Sequence, residues 1–250
     1  MKRFVPPLLF AVALLVLWQL ATDAKVISPI FFPSPGRTLG ELYGQVESGR
    51  LWRPLGATAL RMLYGWALAS LIGIALGAVI GSSRAARAYL EPLLEFLRPL
   101  PASAIIPVAI LFLGLSDRMS AAVIAFGSLW PVLLATVHGF ASLEPQLLEL
   151  CASLRLSRRE VLVKVALPAA LPDILAGARV GLSIALILAV VTEMQASLPG
   201  LGQNILLAQR SFRSAELYAG IVVLGLMGFA ANQLLLLAER RLLRWRAPSH

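Results

Sequence analysis

At 250 residues, with 58% hydrophobic and only 14% charged residues and a mean hydropathy of +0.81, the chain is far more apolar than a soluble domain, in which about a quarter of residues are charged. The formal net charge of +9 does not mark a nucleic-acid binder, because the basic residues flank apolar runs instead of gathering on one polar face; they read as topology determinants. One cysteine and two histidines exclude an internal disulfide and a closed zinc site.

A helical crossing takes about 20 mostly apolar residues, so the chain has room for roughly five to seven crossings and no separate soluble domain. The first run is Phe4–Ala21. Met1-Lys2-Arg3 before it resembles a signal-peptide start, but the run is as long as a full span and lacks a clean small-residue cleavage pattern, so it reads as a retained span. Asp23 to Pro54 is more polar and carries Pro29, Pro33 and Pro35. The second run, 57–81, has Gly73, Gly77 and Gly81 at every fourth position, which lets another helix backbone approach closely.

Arg84, Arg87 and Arg98 bracket an amphipathic piece around Leu90–Leu97, and Pro99, Pro101 and Pro107 break the helix after it. Such breaks at membrane depth require protein or a water-filled cavity around them. The third run is Ala102–Leu115, and the fourth, Met119–Phe140, carries Pro131. A polar interruption from Ser142 to Pro172 follows. The fifth run is Ile174–Met194 with Gly177 and Gly181 on one face, and the sixth is Leu217–Leu237, after the turn-prone Pro199-Gly200-Leu201-Gly202. The expected fold is an all-α membrane protein of about six transmembrane helices. Three regions are expected: 1–56 with the first helix and an external loop, 57–240 as the main transmembrane domain, and 241–250 as a basic tail.

Six spans place both termini on one side. With the N-terminus inside, the cytoplasmic segments hold Lys2, Arg3, Arg84, Arg87, Arg98, Arg155, Arg158, Arg159, Lys164 and the basic tail, which fits the positive-inside rule. The external segments hold fewer, although the first external loop is itself basic.

Within the polar interruption, Glu144-Pro145 opens a helix with proline at its first position, where a missing N–H costs nothing. Leu147, Leu150, Cys151 and Leu154 share one face, with Glu149 and Ser153 on another. A turn at Arg155-Leu156 leads into Ser157-Arg158-Arg159-Glu160, which has the form of a capping box. Pro168 and Pro172 are expected to end that second helix. The segment is thus a cytoplasmic helix–turn–helix, which on physics alone reads first as an ordinary loop.

The residues resemble more than that. Glu149-Leu150-Cys151, then Arg155, then Val165-Ala166-Leu167-Pro168 stand at the spacing of the EAA signature of ABC import permeases: Glu-Ala-Ala, a glycine, and Ile-x-Leu-Pro. Phe32-Pro33-Ser34-Pro35, Arg98-Pro99-Leu100-Pro101, Pro107 to Gly114, Leu167 to Pro172 and Glu193-Met194 resemble the nitrate, taurine and sulfonate branch of that family. Leu150, Cys151 and Arg155 depart from the signature's two alanines and glycine. If the turn requires a positive φ, Arg155 there costs on the order of 1 kcal/mol relative to glycine.

The resemblance implies a type I ABC importer permease of the bacterial inner membrane, not an enzyme. It implies that Glu149, Leu150, Cys151, Leu154, Arg155, Leu156, Ser157, Leu167 and Pro168 form the element that couples to a separate ATPase. The implied partners are two ATPase copies, a second permease copy, a periplasmic or lipid-anchored solute-binding protein, and membrane lipid, with no nucleic acid. No lysine follows a glycine, so the chain lacks a phosphate-binding P-loop; ATP is used by the partner, and the chain is expected to hold no cofactor or metal. Glu193 and Arg179, ionisable residues inside the fifth run, are candidates for the pathway or its gate. Arg179 reads first as snorkelling to an interface, and for Glu193 a functional and a structural role stand level. The alternative to an ABC permease is an ion-coupled transporter using Glu193 without an ATPase. It predicts internal repeats with broken helices, which the sequence does not display.

Overall fold

The computed structural model describes residues 5–24, 28 and 30–245. Among them every regular element is helical: α1 Val5–Asp23, α2 Pro35–Glu47, α3 Trp52–Ser82, α4 Arg84–Leu97, a 3-10 turn Ala102–Ile105, α5 Ile106–Leu113, α6 Asp117–Ala141, α7 Pro145–Ser153, α8 Arg158–Glu160, a π turn Val161–Ala166, α9 Leu167–Ala196, α10 Leu201–Arg210 and α11 Ser214–Leu242. Four starts follow one chemical rule. The N–H groups of Arg37, Ala86, Met119 and Glu160 donate to the side chains of Ser34, Ser83, Ser116 and Ser157, three residues back, each serving an N–H that has no partner inside the helix.

Among the described residues, four helices are long and apolar enough to cross a membrane: α3, α6, the continuous helix from Arg158 to Ala196, and α11. A fifth candidate is the pair Ala85–Leu97 and Ala102–Leu113, bent by 79°. The expected third span is therefore one limb of a broken pair, with Pro99 and Pro101 at the break, where proline removes backbone donors and disfavours helix in the preceding residue. The expected first span falls on α1; its Phe4, with Lys2, Arg3, Lys25 and Arg246 of the charge pattern, lies outside the described residues. The polar stretch after it contains α2, which Ser34 and Pro35 start.

The chain divides into two compact units. The first, Met1–Thr58 with Pro199–Met227, buries Leu51, Leu201 and Val223 together. Trp18, Phe32 and Tyr218 pack their rings within it, and the backbone N–H of Leu201 donates to Thr58 Oγ1 at 2.9 Å.

The second unit, Ala59–Leu198 with Gly228–His250, places α6 between the glycine faces of α3 and α9. A Cβ on Gly77 would stand 2.5 Å from Thr136 Cβ, and one on Gly81 2.6 Å from Phe140 Cβ. From the other side, a Cβ on Gly181 would meet the Ser128 carbonyl oxygen at 3.1 Å. Lipid tails are as apolar as leucine, so close van der Waals approach holds these helices together. Both small-residue faces seen in the sequence pack on the same helix. Trp66 Nε1 adds a hydrogen bond to the Ala178 carbonyl at 2.8 Å, tying α3 to α9.

Candidate coupling segment and buried ion pair

Glu144 is extended (φ −60°, ψ 132°) and precedes Pro145, which starts α7. The helix ends nine residues later in a Schellman turn: Arg155 N–H donates to Ala152 O at 3.0 Å and Leu156 N–H to Cys151 O at 3.1 Å. Such a turn needs a left-handed residue, and Arg155 holds φ 51°. The signature's glycine position is thus the one that requires positive φ, and arginine occupies it.

Ser157 then caps α8 as the sequence predicts. Glu160 N–H donates to Ser157 Oγ at 3.3 Å, and Ser157 N–H donates back to Glu160 Oε2 at 3.0 Å. Lys164 pairs with Glu160 at 2.9 Å.

The second helix does not end at Pro168 and Pro172. It passes through the π turn, where Leu167 N–H donates five residues back to Leu162 O, and continues as α9 with Pro172 inside it. The wider turn makes room for the Pro168 ring, and at the start of the α-helical stretch the missing N–H of proline is tolerated. The apolar run alone placed the span's start at Ile174; the helix starts well before it.

The predicted apolar face of α7 divides in two. Leu150 and Leu154 are 55% and 63% exposed, with Leu148 also exposed, whereas Cys151 is 4% exposed. Leu156 is half-buried, and Glu149, Arg155 and Ser157 are exposed. Cys151 therefore cannot fill a groove on a partner, as its place on the sequence-predicted face would have it, because it is buried in this chain at the Schellman turn opposite Leu156. At the entry to α9, Ala166, Ala170 and Ile174 pack with Phe140 of α6. Leu167 is exposed and Pro168 half-buried.

Glu193 lies 26 residues beyond Leu167 on α9, about 39 Å at 1.5 Å per residue. It is fully buried, and its carboxylate receives a hydrogen bond from Arg61 Nη1 at 2.8 Å. The same guanidinium donates through Nε to Asp117, the first residue of α6, at 2.6 Å. The Arg61 side chain is 10% exposed and that of Asp117 76%. One turn into α6, the Ser120 and Thr192 hydroxyls meet at 2.7 Å. Arg179 makes an ion pair with Glu239 of α11, so it has a protein partner in addition to any interface.

Sequence reasoning singled out Glu193 and overlooked Arg61, which lies in the second apolar run and is itself an ionisable residue within a span. The two are 132 positions apart, and no spacing motif links them.

A bundle of glycine-packed apolar helices, with a capped helix–turn–helix at one end and a buried ion pair at the other, has the form of a multi-pass membrane transport protein. Residues 69–246 match the family described as binding-protein-dependent transport system inner membrane component. The chain is 31% identical over 239 residues to SsuC of Bacillus subtilis (strain 168), whose name assigns it to aliphatic sulfonates transport, covering 96% of this chain and 87% of that one. It is 32% identical over 241 residues to the taurine transport system permease protein TauC of Escherichia coli (strain K12), covering 94% and 87%. Its fold matches a chain of the inward-facing MetNI methionine ABC transporter with a TM-score of 0.65 at 17% identity, covering 79% of this chain and 96% of that one.

The chain belongs to the family of binding-protein-dependent transport system inner membrane components. It is an ABC importer permease subunit of the inner membrane, with the type I importer fold, and not an enzyme. Membership implies an ATPase and a solute-binding protein as partners and sets aside the ion-coupled transporter.

Proposed function

We propose that the chain forms half of the translocation pathway of an importer for small anionic or zwitterionic solutes, with two copies facing each other and two ATPase copies bound through Ser142–Pro168. The observation that carries this reading is the continuity of the segment with α9. Glu149, Leu150 and Leu154 are exposed on and just after α7, and the capping box that follows runs through the π turn straight into a membrane-length helix. A flexible loop would absorb the motion of an ATPase dimer, whereas a packed helix passes it on.

With this segment in the cytoplasm, the ~39 Å to Glu193 exceeds the roughly 30 Å of hydrocarbon, which puts the Arg61–Glu193 pair at the outer end. Glu193 is then placed to hold an external gate. Arg179, paired to Glu239, serves as a tie between α9 and α11 near the inner end. Sulfonates and taurine lead the substrate candidates because relatives along nearly the whole chain carry those names; nitrate follows from the resemblance of the sequence.

The test is co-expression with the co-encoded ATPase. Leu150→Glu and Glu149→Lys should leave the permease in the membrane, reduce ATPase co-purification at least tenfold and abolish ATP-driven uptake. A charge at half-buried Leu156 would instead disturb the turn itself. Undiminished ATPase binding and uptake in both variants would move the docking element elsewhere. Thermal-shift screening of the co-encoded binding protein against taurine, alkanesulfonates, nitrate and thiamine precursors identifies the solute.

A further inference from the structure

Arg61 holds two carboxylates of opposite character. Glu193 is fully buried and bonded to Nη1 at 2.8 Å; Asp117 is bonded to Nε at 2.6 Å with its side chain 76% exposed. Removing a buried partner leaves an uncompensated charge in a low-dielectric interior, so Glu193 is fixed. An exposed partner contributes little and is readily replaced by solvent or by another anion.

Asp117 also occupies a second favourable position. It is the first residue of the 25-residue helix α6, after the N-cap Ser116, where the helix dipole and the unpaired N–H groups favour negative charge. The carboxylate is therefore held by a nearly buried guanidinium on α3 while it stands in the first turn of α6, the two residues being 56 positions apart in the chain. Arg61 and Glu193 cancel each other, so a monoanion taking that carboxylate's place leaves the formal charge of the site unchanged once the exposed Asp117 carboxylate has turned out to solvent. Guanidinium suits such an oxyanion because its N–H groups form a planar fork.

We propose that Arg61 is the centre of an anion subsite at the end of the bundle opposite the coupling segment, with Asp117 as its built-in, displaceable occupant. A sulfonate or carboxylate head group enters by exchanging with Asp117, while Glu193 keeps the guanidinium in place. The choice of a sulfonate-like anion rests on the proposed function; the subsite itself needs neither the ATPase nor the binding protein.

The full-length chain in lipid nanodiscs, without partners, is titrated with sodium methanesulfonate exchanged for chloride at constant ionic strength, with dimethyl sulfone as the neutral control. The readout is the midpoint of thermal unfolding. Wild type should show a saturable rise with methanesulfonate and none with dimethyl sulfone. Asp117→Asn should lower the half-saturating concentration at least fivefold, because the internal competitor is gone. The double variant Arg61→Gln with Glu193→Gln removes the cation without stranding its partner, and should lose the response. An unchanged half-saturating concentration in Asp117→Asn, or no saturable response in either wild type or Asp117→Asn, overturns the subsite; so does a wild-type response in the double variant. If the double variant does not fold, the Asp117→Asn comparison decides alone. Since ATPase binding is not measured, these outcomes leave the docking reading to its own test.

Discussion

Gly177 of α9 lies against the carbonyl of Pro131 in α6: a Cβ at position 177 would stand 2.6 Å from that oxygen and 2.5 Å from the Ala135 methyl. Neither obstacle can swing away, since one is backbone and the other a side chain without rotamers. Alanine is the better helix former by about 1 kcal/mol, yet Gly177→Ala is expected to destabilise the chain by about 1–3 kcal/mol through overpacking. Gly225 on α11 has nothing within 4 Å of its Cβ position, so Gly225→Ala should be neutral or stabilising. Thermal unfolding of the two purified variants checks both signs. Two equal shifts would mean that close approach is not what holds α9 to α6.

The carboxylates on Arg61 should differ in cost. Glu193→Gln removes a fully buried charge from a guanidinium only 10% exposed, and is expected to destabilise by about 3 kcal/mol or more. Asp117→Asn should cost less than about 1 kcal/mol. Replacing Arg61 by Met together with Glu193 by Leu should recover most of the loss, since a buried pair exchanged for apolar residues is often near neutral. The unfolding midpoints of the three variants give the comparison, and a Glu193→Gln variant as stable as wild type would remove the structural weight placed on this pair.

What the sequence revealed and what it hid divide along chain distance. Ser157 and Glu160, three residues apart, announce their capping box, and Gly73, Gly77, Gly81, Gly177 and Gly181 announce close packing. These signals are local: a side chain meets its own backbone, or a face repeats every turn. Arg61 and Glu193 meet only because α3 and α9 flank the same helix, so nothing near either residue names the other. Pro168 misled in a different way. A proline normally ends a helix, but the π turn before it cannot be read from the valine-rich Val161–Ala166, which carries no local marker of the wider turn. Cys151 shares a helical face with exposed Leu150 and Leu154 and is nevertheless buried, at the residue whose carbonyl accepts the Leu156 N–H of the Schellman turn.

Sidedness can be measured directly. Ser48 and Ser157 are both exposed, and Cys151 is the one native cysteine. In a Cys151→Ala background, single cysteines at 48 and 157 should react with a membrane-impermeant maleimide from opposite sides: Ser48→Cys in intact cells, Ser157→Cys only after permeabilisation. Labelling of both in intact cells would refute the cytoplasmic placement of the coupling segment, and with it the outer placement of Arg61.

The turn at Arg155 gives the last prediction. Its φ of 51° is a conformation that costs L-residues about 1–2 kcal/mol and glycine almost nothing. Glycine is also more flexible in the unfolded chain, which offsets part of that advantage. Arg155→Gly should therefore raise stability, by up to about 1 kcal/mol, while Arg155→Val, with a β-branched side chain in the same conformation, should lower it. The two backbone bonds of the turn, Arg155 N–H to Ala152 and Leu156 N–H to Cys151, are kept in the glycine variant, so α7 keeps its angle to α8. ATPase co-purification should then equal or exceed that of wild type, as expected if this position acts through its backbone. A glycine variant that melts higher but no longer holds the ATPase would show instead that the exposed guanidinium of Arg155 is itself a docking contact, adding a cation to exposed Glu149, Leu150 and Leu154.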